Sequence, residues 1–264
     1  MKKILEVKNL SVEFRIEEKR IEAVRNFTLD MEEKEIIVLA GESGSGKTIA
    51  SLALTRILPA LAKITAGEAY FEGKDLFLKT EIELQALRGA KISYIFQEPL
   101  VYLNPVFKIS EQLKETIIYH DKISPEEANK RMLELLNLVK IIDPETVGNI
   151  YPHQLSGGMN QRVFIALALA SNPKLIIADE PTTALDVITE AQILEMLKDL
   201  QNKLGFSLLF ITHNLSIAKK IANRVFIMHR GEIVESEKTA EIFNSPKHIH
   251  TKELVYAYEK IGKL

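Results

Sequence analysis

Cysteine is absent from the 264 residues, so disulfides, thiolate nucleophiles and cysteine-ligated zinc or iron–sulfur centres are excluded. Long apolar runs are missing as well. The longest uncharged one, VFIALALA at residues 163–170, falls far short of the roughly 20 residues that span a bilayer, so the chain is not expected to cross a membrane by itself. The opening MKKILEVKNL alternates polar and apolar residues and lacks the continuous apolar stretch of a signal peptide, which argues against export. A basic excess is lacking too. The formal net charge is −2 with both signs interspersed, which leaves no electrostatic footprint for nucleic acid. There is no internal repeat, low-complexity tract or Pro/Gly/Ser-rich linker.

With 46% apolar and 27% charged residues, the composition is that of a soluble globular protein long enough for one large domain with a subdomain inserted in it. Residues 4–14 and 21–31 are rich in β-formers, flank a charged EEKR stretch, and predict an antiparallel pair. IIVLA (36–40), ISYIF (92–96), KLIIA (174–178), SLLFIT (207–212) and RVFIM (224–228) are short apolar runs of the kind buried on both faces. Helical patterns between several of them argue for an α/β fold with a parallel sheet. From about Pro105 to Leu155 the pattern is helical, with Ser124 as a cap and Pro125 at the first helical position, so a helical subdomain is expected there.

GESGSGKT at residues 41–48 follows IIVLA directly and precedes TIASLALTRIL at helical spacing, so strand, glycine loop and helix stand in the order a phosphate-binding loop requires. The cradle is Gly41, Glu42, Ser43, Gly44, Ser45, Gly46, Lys47 and Thr48. Its backbone N–H groups around Gly44 to Lys47 are expected to wrap the β-phosphate of ATP. Lys47 reaches the β/γ oxygens and the Thr48 hydroxyl ligates Mg²⁺. KLIIADE supplies the acidic partner: Asp179 at the end of a buried strand can hold Mg²⁺, and Glu180 beside it can polarise an attacking water. LSGGMNQR at residues 155–162 is a second helix start with free N–H groups and a positive dipole end, hence a second anion-seeking element.

That last motif chooses among the P-loop classes, because LSGGMNQR resembles the LSGGQ-like signature of ATP-binding subunits of ABC transporters. The resemblance covers nearly the whole chain, in the family's order. Gln97 in IFQEP resembles the Q-loop and implies a Mg²⁺ ligand and catalytic glutamine. Asp186 in TTALD resembles the D-loop aspartate, and His213 in FITH the switch histidine. Phe14 lies where the family places an aromatic residue against adenine. The resemblance implies a P-loop NTPase (RecA-like) core with an N-terminal antiparallel β subdomain, in a single ABC ATPase domain over 1–264. Its core would take about 1–97 and 163–244, the helical subdomain about 98–162 and a C-terminal tail about 245–264. It also implies a dimer, homo- or heteromeric, closed head to tail. Ser156, Gly157 and Gly158 of one subunit would then face the γ-phosphate bound by the other. Transmembrane permease subunits, an extracytoplasmic solute-binding protein acting indirectly, and a peripheral place on the cytoplasmic membrane face complete the expectation.

EPTTALDV followed by QIL, with SPKHIHTKEL at residues 245–254, is similar to the peptide and nickel importer branch. His248, Ile249 and His250 depart from that branch's Pro-x-His-Pro-Tyr-Thr-like element, while Thr251 is retained. The end at Leu264 and the lack of cysteine make the shorter nickel-type members at least as good a match as the oligopeptide type. Asn160 and Asn214 stand where the family commonly has a basic and an acidic residue. The His248 and His250 pair, without further ligands, reads as an ordinary surface segment. A soluble ABC ATPase of DNA repair or translation would carry a coiled-coil insertion or two cassettes, and neither is present. A nucleotide-binding regulator without turnover is disfavoured by intact Glu180 and His213.

Overall fold

The structure, a computed structural model, describes residues 2–261. It opens with β1 (Lys3–Ile16), β2 (Lys19–Glu32), β3 (Ile36–Ala40), α1 (Lys47–Leu54), β4 (Ala62–Phe71), β5 (Lys74–Asp75) and α2 (Glu81–Leu87). There follow β6 (Ile92–Ile95), α3 (Pro99–Tyr102), α4 (Ile109–Asp121), α5 (Pro125–Leu138), α6 (Pro144–Gly148), a 3₁₀ turn at Pro152–Gln154, α7 (Gly157–Leu169), β7 (Leu175–Asp179) and α8 (Val187–Leu204). The chain ends with β8 (Ser207–Thr212), α9 (Leu215–Ile221), β9 (Arg224–His229), β10 (Glu232–Lys238), α10 (Thr239–Asn244) and α11 (Ile249–Ile261). Two compact units divide it: residues up to 84 together with those from 207 onward, and residues 85–206.

In the first unit β1 and β2 form the predicted antiparallel pair, with Phe14 opposite Ile21. β4 takes the other edge of β1, antiparallel, and β5 pairs with β4. β4 carries little apolar periodicity: most of its residues are exposed, and the backbone ladder to β1 holds it in place. In the second sheet segment β3 lies parallel between β8 and β9, and β10 closes the edge antiparallel to β9. All five residues of β3 and all six of β8 are buried, the outcome expected of apolar runs covered on both faces. Each such aliphatic side chain stabilises the fold by about 1.5–3 kcal/mol.

α1 stops at Leu54, short of the predicted TIASLALTRIL, because Arg56 turns into the left-handed region at φ 56° and Pro59 follows. Within the segment read as a C-terminal tail, Ile249–Ile261 forms α11, with Thr251 and Val255 buried.

The second unit pairs β6 and β7 in parallel, and among the described residues no strand lies between them. α5 begins with the expected cap: Ser124 Oγ accepts from the Glu127 N–H at 3.3 Å, and the Glu127 carboxylate accepts from the Ser124 N–H at 2.9 Å. α8 buries Ile193, Leu194, Met196, Leu197 and Leu200 on one face and ends at Gly205, φ 72°. A glycine there lets the helix terminate through a left-handed residue without strain.

Candidate functional site

In the first unit β3 delivers residues 41–48 to the start of α1. Gly44 and Gly46 sit at φ 79° and 103°, conformations that L side chains rarely adopt. A Cβ on Gly46 would lie 2.4 Å from the Ala23 carbonyl oxygen, and one on Gly41 would lie 2.2 Å from that of Met228. No side chain fits at either position. At Gly44 a Cβ would meet nothing within 4 Å, so only its backbone angle calls for glycine there. Lys47 is 4% exposed, and its ammonium donates to the carbonyls of Gly41 and Glu42, each at 2.8 Å. No side chain caps the first turn of α1. Free N–H groups, the dipole end and a buried ammonium together favour a polyanion.

The loop is braced by residues that sequence reasoning missed. The Gly231 N–H in the β9–β10 turn donates to the Ser45 carbonyl at 2.9 Å, and the Gly231 carbonyl accepts from the Arg25 N–H at 2.8 Å. No motif marks this turn, because backbone groups make the contact. Phe14 is half-buried on β1, opposite Ile21 and Ala62. His213 is exposed between β8 and α9. Asn214 beside it accepts from the Ser216 N–H at 3.0 Å and caps α9, a bond an acidic side chain would make equally well.

In the second unit Asp179, 7% exposed, ends β7. Glu180 follows in the left-handed region at φ 46°, a conformation that costs a non-glycine residue about 1–3 kcal/mol and clusters at functional sites. The Thr183 hydroxyl donates to its carboxylate at 2.9 Å and fixes its direction. Gln97 is exposed just after β6. Phe96 and Tyr102 stack with centroids 4.1 Å apart, and Tyr102 in turn faces Phe164 at 5.9 Å. Around them Leu100, Val101, Val106 and Phe107 are all exposed.

Ser156 is the N-cap of α7: its hydroxyl accepts from the Met159 N–H at 3.3 Å. Ser156 and Gly157 are exposed, and Gly158 is half-buried. A Cβ on Gly158 would lie 2.7 Å from Cγ2 of Thr189, whose hydroxyl is held 2.7 Å from the Asp186 carboxylate. Asp186 also accepts from the N–H groups of Ile188 and Thr189 at 3.1 and 3.0 Å and so caps α8. Those bonds hold its carboxyl below the usual aspartate range. Signature glycine, Thr189 and D-loop aspartate thus form one packed cluster. Asn160, 1% exposed, donates to the carbonyls of Pro152, Leu155 and Ser156 at 3.0, 3.3 and 3.3 Å. An amide bracing the approach to α7 explains why a basic residue is dispensable there.

The donor set fits Mg-ATP. In the first unit a glycine cradle with an ammonium suits phosphates and the Thr48 hydroxyl is a hard oxygen; in the second unit the Asp179 carboxylate and the Gln97 amide are hard oxygens of the kind magnesium takes. The His248 and His250 segment departs from expectation, because it is not an ordinary surface segment. His250 is 5% exposed and its ring lies 3.9 Å, centroid to centroid, from that of His229. The cause is the fold of α11, whose first turn packs inward.

The ABC transporter family profile matches residues 24–183. The chain is 48% identical over 250 residues to the oligopeptide transport ATP-binding protein OppD of Bacillus subtilis, covering 94% of this chain and 70% of that protein. It is 43% identical over 256 residues to the dipeptide transport ATP-binding protein DppD of the same organism, covering 97% and 76%. With the glutathione import ATP-binding protein GsiA of Pectobacterium atrosepticum it shares 44% identity over its whole length, but spans only 43% of that relative. Among solved structures, a dimeric ATP-binding cassette in a post-hydrolysis state with ADP and phosphate superposes with a TM-score of 0.80 at 33% identity, over 89% of this chain and 98% of that one. With its phosphate loop, acidic strand end and signature helix all in family order, the chain belongs to the ABC transporter family, as one of its ATP-hydrolysing cassettes.

Proposed function

We propose that the protein is the ATP-hydrolysing subunit of an importer of small peptides. The observation that carries this reading is the pair of unlike helix starts: an uncapped, lysine-lined one at residues 41–48 and a serine-capped one at 155–162. Lys47 is expected to leave the Gly41 and Glu42 carbonyls for the β/γ oxygens of ATP. Thr48, Asp179 and Gln97 are the residues that would hold Mg²⁺, which when bound would supply charge neutralisation at the phosphates. Glu180 draws a proton from the attacking water, His213 and Gln97 complete the family's catalytic set, and Asp186 stands with the residues that bind nucleotide. Phe14 stacks on adenine. Ser156, Gly157 and Gly158 read the γ-phosphate held by a second cassette, so that nucleotide binding closes a dimer and hydrolysis reopens it.

The aromatic stack of Phe96, Tyr102 and Phe164, flanked by exposed Leu100, Val101, Val106 and Phe107, supports a docking face for a membrane permease at about 97–107. An exposed apolar group of this kind marks an interaction surface. The protein then works peripherally on the membrane, and no described helix is long and apolar enough to cross it. Peptides are favoured over nickel because the relatives named above carry peptide transport in their names. Reconstitution with the permeases and binding protein encoded nearby tests this. Peptide-stimulated ATP hydrolysis with peptide uptake is expected. Stimulation by nickel complexes alone would reassign the solute, and no stimulation by either would refute the importer.

A further inference from the structure

The cluster of Glu42, His229 and His250 lies wholly within the first unit and draws on three distant parts of the chain: the phosphate loop, the end of β9 and the first turn of α11. One ligand atom from each of the three side chains lies within 4.8 Å of the others. His250 is the anchor. Its Nδ1 sits 3.7 Å from the Glu253 carboxylate, and its Nε2 is buried without a hydrogen-bond partner. A buried imidazole nitrogen without a partner is costly unless something occupies its lone pair. His248 is not part of the cluster: its Nδ1 accepts from the His250 N–H at 3.2 Å, and its own N–H donates to Glu235 at 2.9 Å.

We propose that Glu42, His229 and His250 form a binding site for a zinc-class transition-metal ion, and that its occupation ties α11 to the phosphate loop. Two imidazoles and one carboxylate make up the donor set of zinc rather than of magnesium or calcium, which prefer oxygen alone. A tetrahedral ion with bonds of about 2.0–2.2 Å sets its donors roughly 3.3–3.5 Å apart. Exposed Glu42 swings in and the two rings, tilted at 38°, open to reach that spacing. The fourth position is left to water. Glu253 beside Nδ1 is placed as the carboxylate that orients the ligating ring. Burial and the neighbouring His250 and Arg230 hold the His229 imidazole below its usual range.

The same residue that offers its carboxylate to the ion offers its backbone carbonyl to Lys47. A metal on Glu42 therefore restrains the loop in the state in which Lys47 is turned onto Gly41 and Glu42, and it opposes nucleotide binding. That coupling rests on the phosphate-loop reading above, whereas the site does not. By linkage, nucleotide weakens the metal by the same factor.

The test uses the tag-free full chain with Zn²⁺ as the probe, titrated against a chromogenic chelator without nucleotide. One equivalent is expected to bind, at least tenfold more weakly in His229→Gln and His250→Asn. Melting curves run alongside, and half-buried His229 provides the variant least exposed to folding defects. Zn²⁺ should raise the melting temperature of the parent and leave both variants where they were. No stoichiometric binding, or equal binding to parent and variants, overturns the site. In a second arm the affinity for a fluorescent ATP analogue with excess Mg²⁺ is compared with and without Zn²⁺, in parent and His229→Gln. Chelation by nucleotide is common to both and cancels. A threefold or greater weakening confined to the parent is expected, and equal affinities overturn the coupling. Failure of the parent to bind the analogue without Zn²⁺ would instead sink the phosphate-loop reading.

Discussion

The two anion-seeking helix starts, at α1 and at α7, are built by opposite means. At α1 the first turn has no side-chain cap, the glycines take left-handed angles, and a buried lysine lies folded against the loop. At α7 the Ser156 hydroxyl already accepts from the Met159 N–H, and the first turn, Gly157 to Asn160, carries no charged residue of its own. The first supplies no side-chain acceptor of its own for its opening turn, which suits a ligand. The second satisfies one of its donors, the Met159 N–H, with its own serine and offers a hydroxyl and an exposed glycine as further contacts. A strong site and a weak one suit a nucleotide that is bound by one cassette and merely sensed by another.

The largest effect is expected from removing what only the first helix start has. Lys47→Ala deletes the ammonium that pairs with the β/γ oxygens, a loss of about 3–4 kcal/mol in the transition state, or roughly 10²–10³ in turnover. The fold should survive, because the loop's shape comes from its glycines and from the Gly231 brace to Ser45. Steady-state hydrolysis and a melting curve check both halves. Unchanged turnover would remove the asymmetry between the two helix starts.

Glu180→Gln comes next. Glutamine can still accept from Thr183 but cannot take a proton, so hydrolysis should fall by roughly 10²–10⁴ while ATP still binds. A closed dimer should accumulate, visible by light scattering with Mg-ATP on this chain alone or mixed with a sister cassette. Adding Ser156→Arg should undo it by filling the weak site with a bulky side chain. If the doubly substituted protein still dimerises, the α7 start does not read a partner's nucleotide.

The glycines separate the two sites more finely. Gly158→Ala drives a methyl onto Thr189, a β-branched side chain fixed by Asp186, and should cost about 1–3 kcal/mol of stability. Gly44→Ala meets no atom and should cost only the roughly 1–2 kcal/mol of its left-handed backbone. The first change should act on the melting temperature with little loss of nucleotide affinity, the second on affinity more than on melting. The opposite pattern would mean that the closeness of Gly158 to Thr189 is relieved without cost and that its lack of a side chain serves phosphate approach more than packing.

How much of this was legible in the sequence depends on where each signal resides. IIVLA and SLLFIT announced their strands because burial on both faces demands unbroken apolar runs, and the Ser124 cap was legible from side-chain chemistry. β4 was not legible, since its place is set by a backbone ladder to β1 and its side chains are mostly solvated. Gly41 to Thr48, Asp179, Glu180 and the signature were readable as motifs because their chemistry lies in residue types at fixed spacing. The Gly231 brace, the Thr189 contact to Gly158 and the meeting of His229 with His250 join residues far apart in sequence. Only the fold brings them together.

The smallest effect is an acid sensitivity peculiar to the signature side. Asp186 is held below the usual aspartate range, chiefly by the Thr189 N–H and hydroxyl and then by the Ile188 N–H. As pH falls the unfolded chain takes up this proton before the folded one does, so the contribution is present above about pH 4 and is lost as pH drops through the folded value. Asp186→Asn keeps an oxygen at the cap and removes only the charge. Melting temperatures of the two proteins should therefore differ by no more than about 2 °C near neutrality and converge as pH falls below the ordinary aspartate range and through the lowered folded value. The phosphate-loop side has no such carboxylate cap on α1, and Lys47→Ala compared with the parent should show no convergence in that window. A constant offset between parent and Asp186→Asn at every pH would mean that the aspartate supplies cap geometry alone. The Thr189 cluster would then be fixed by packing against Gly158 and not by charge.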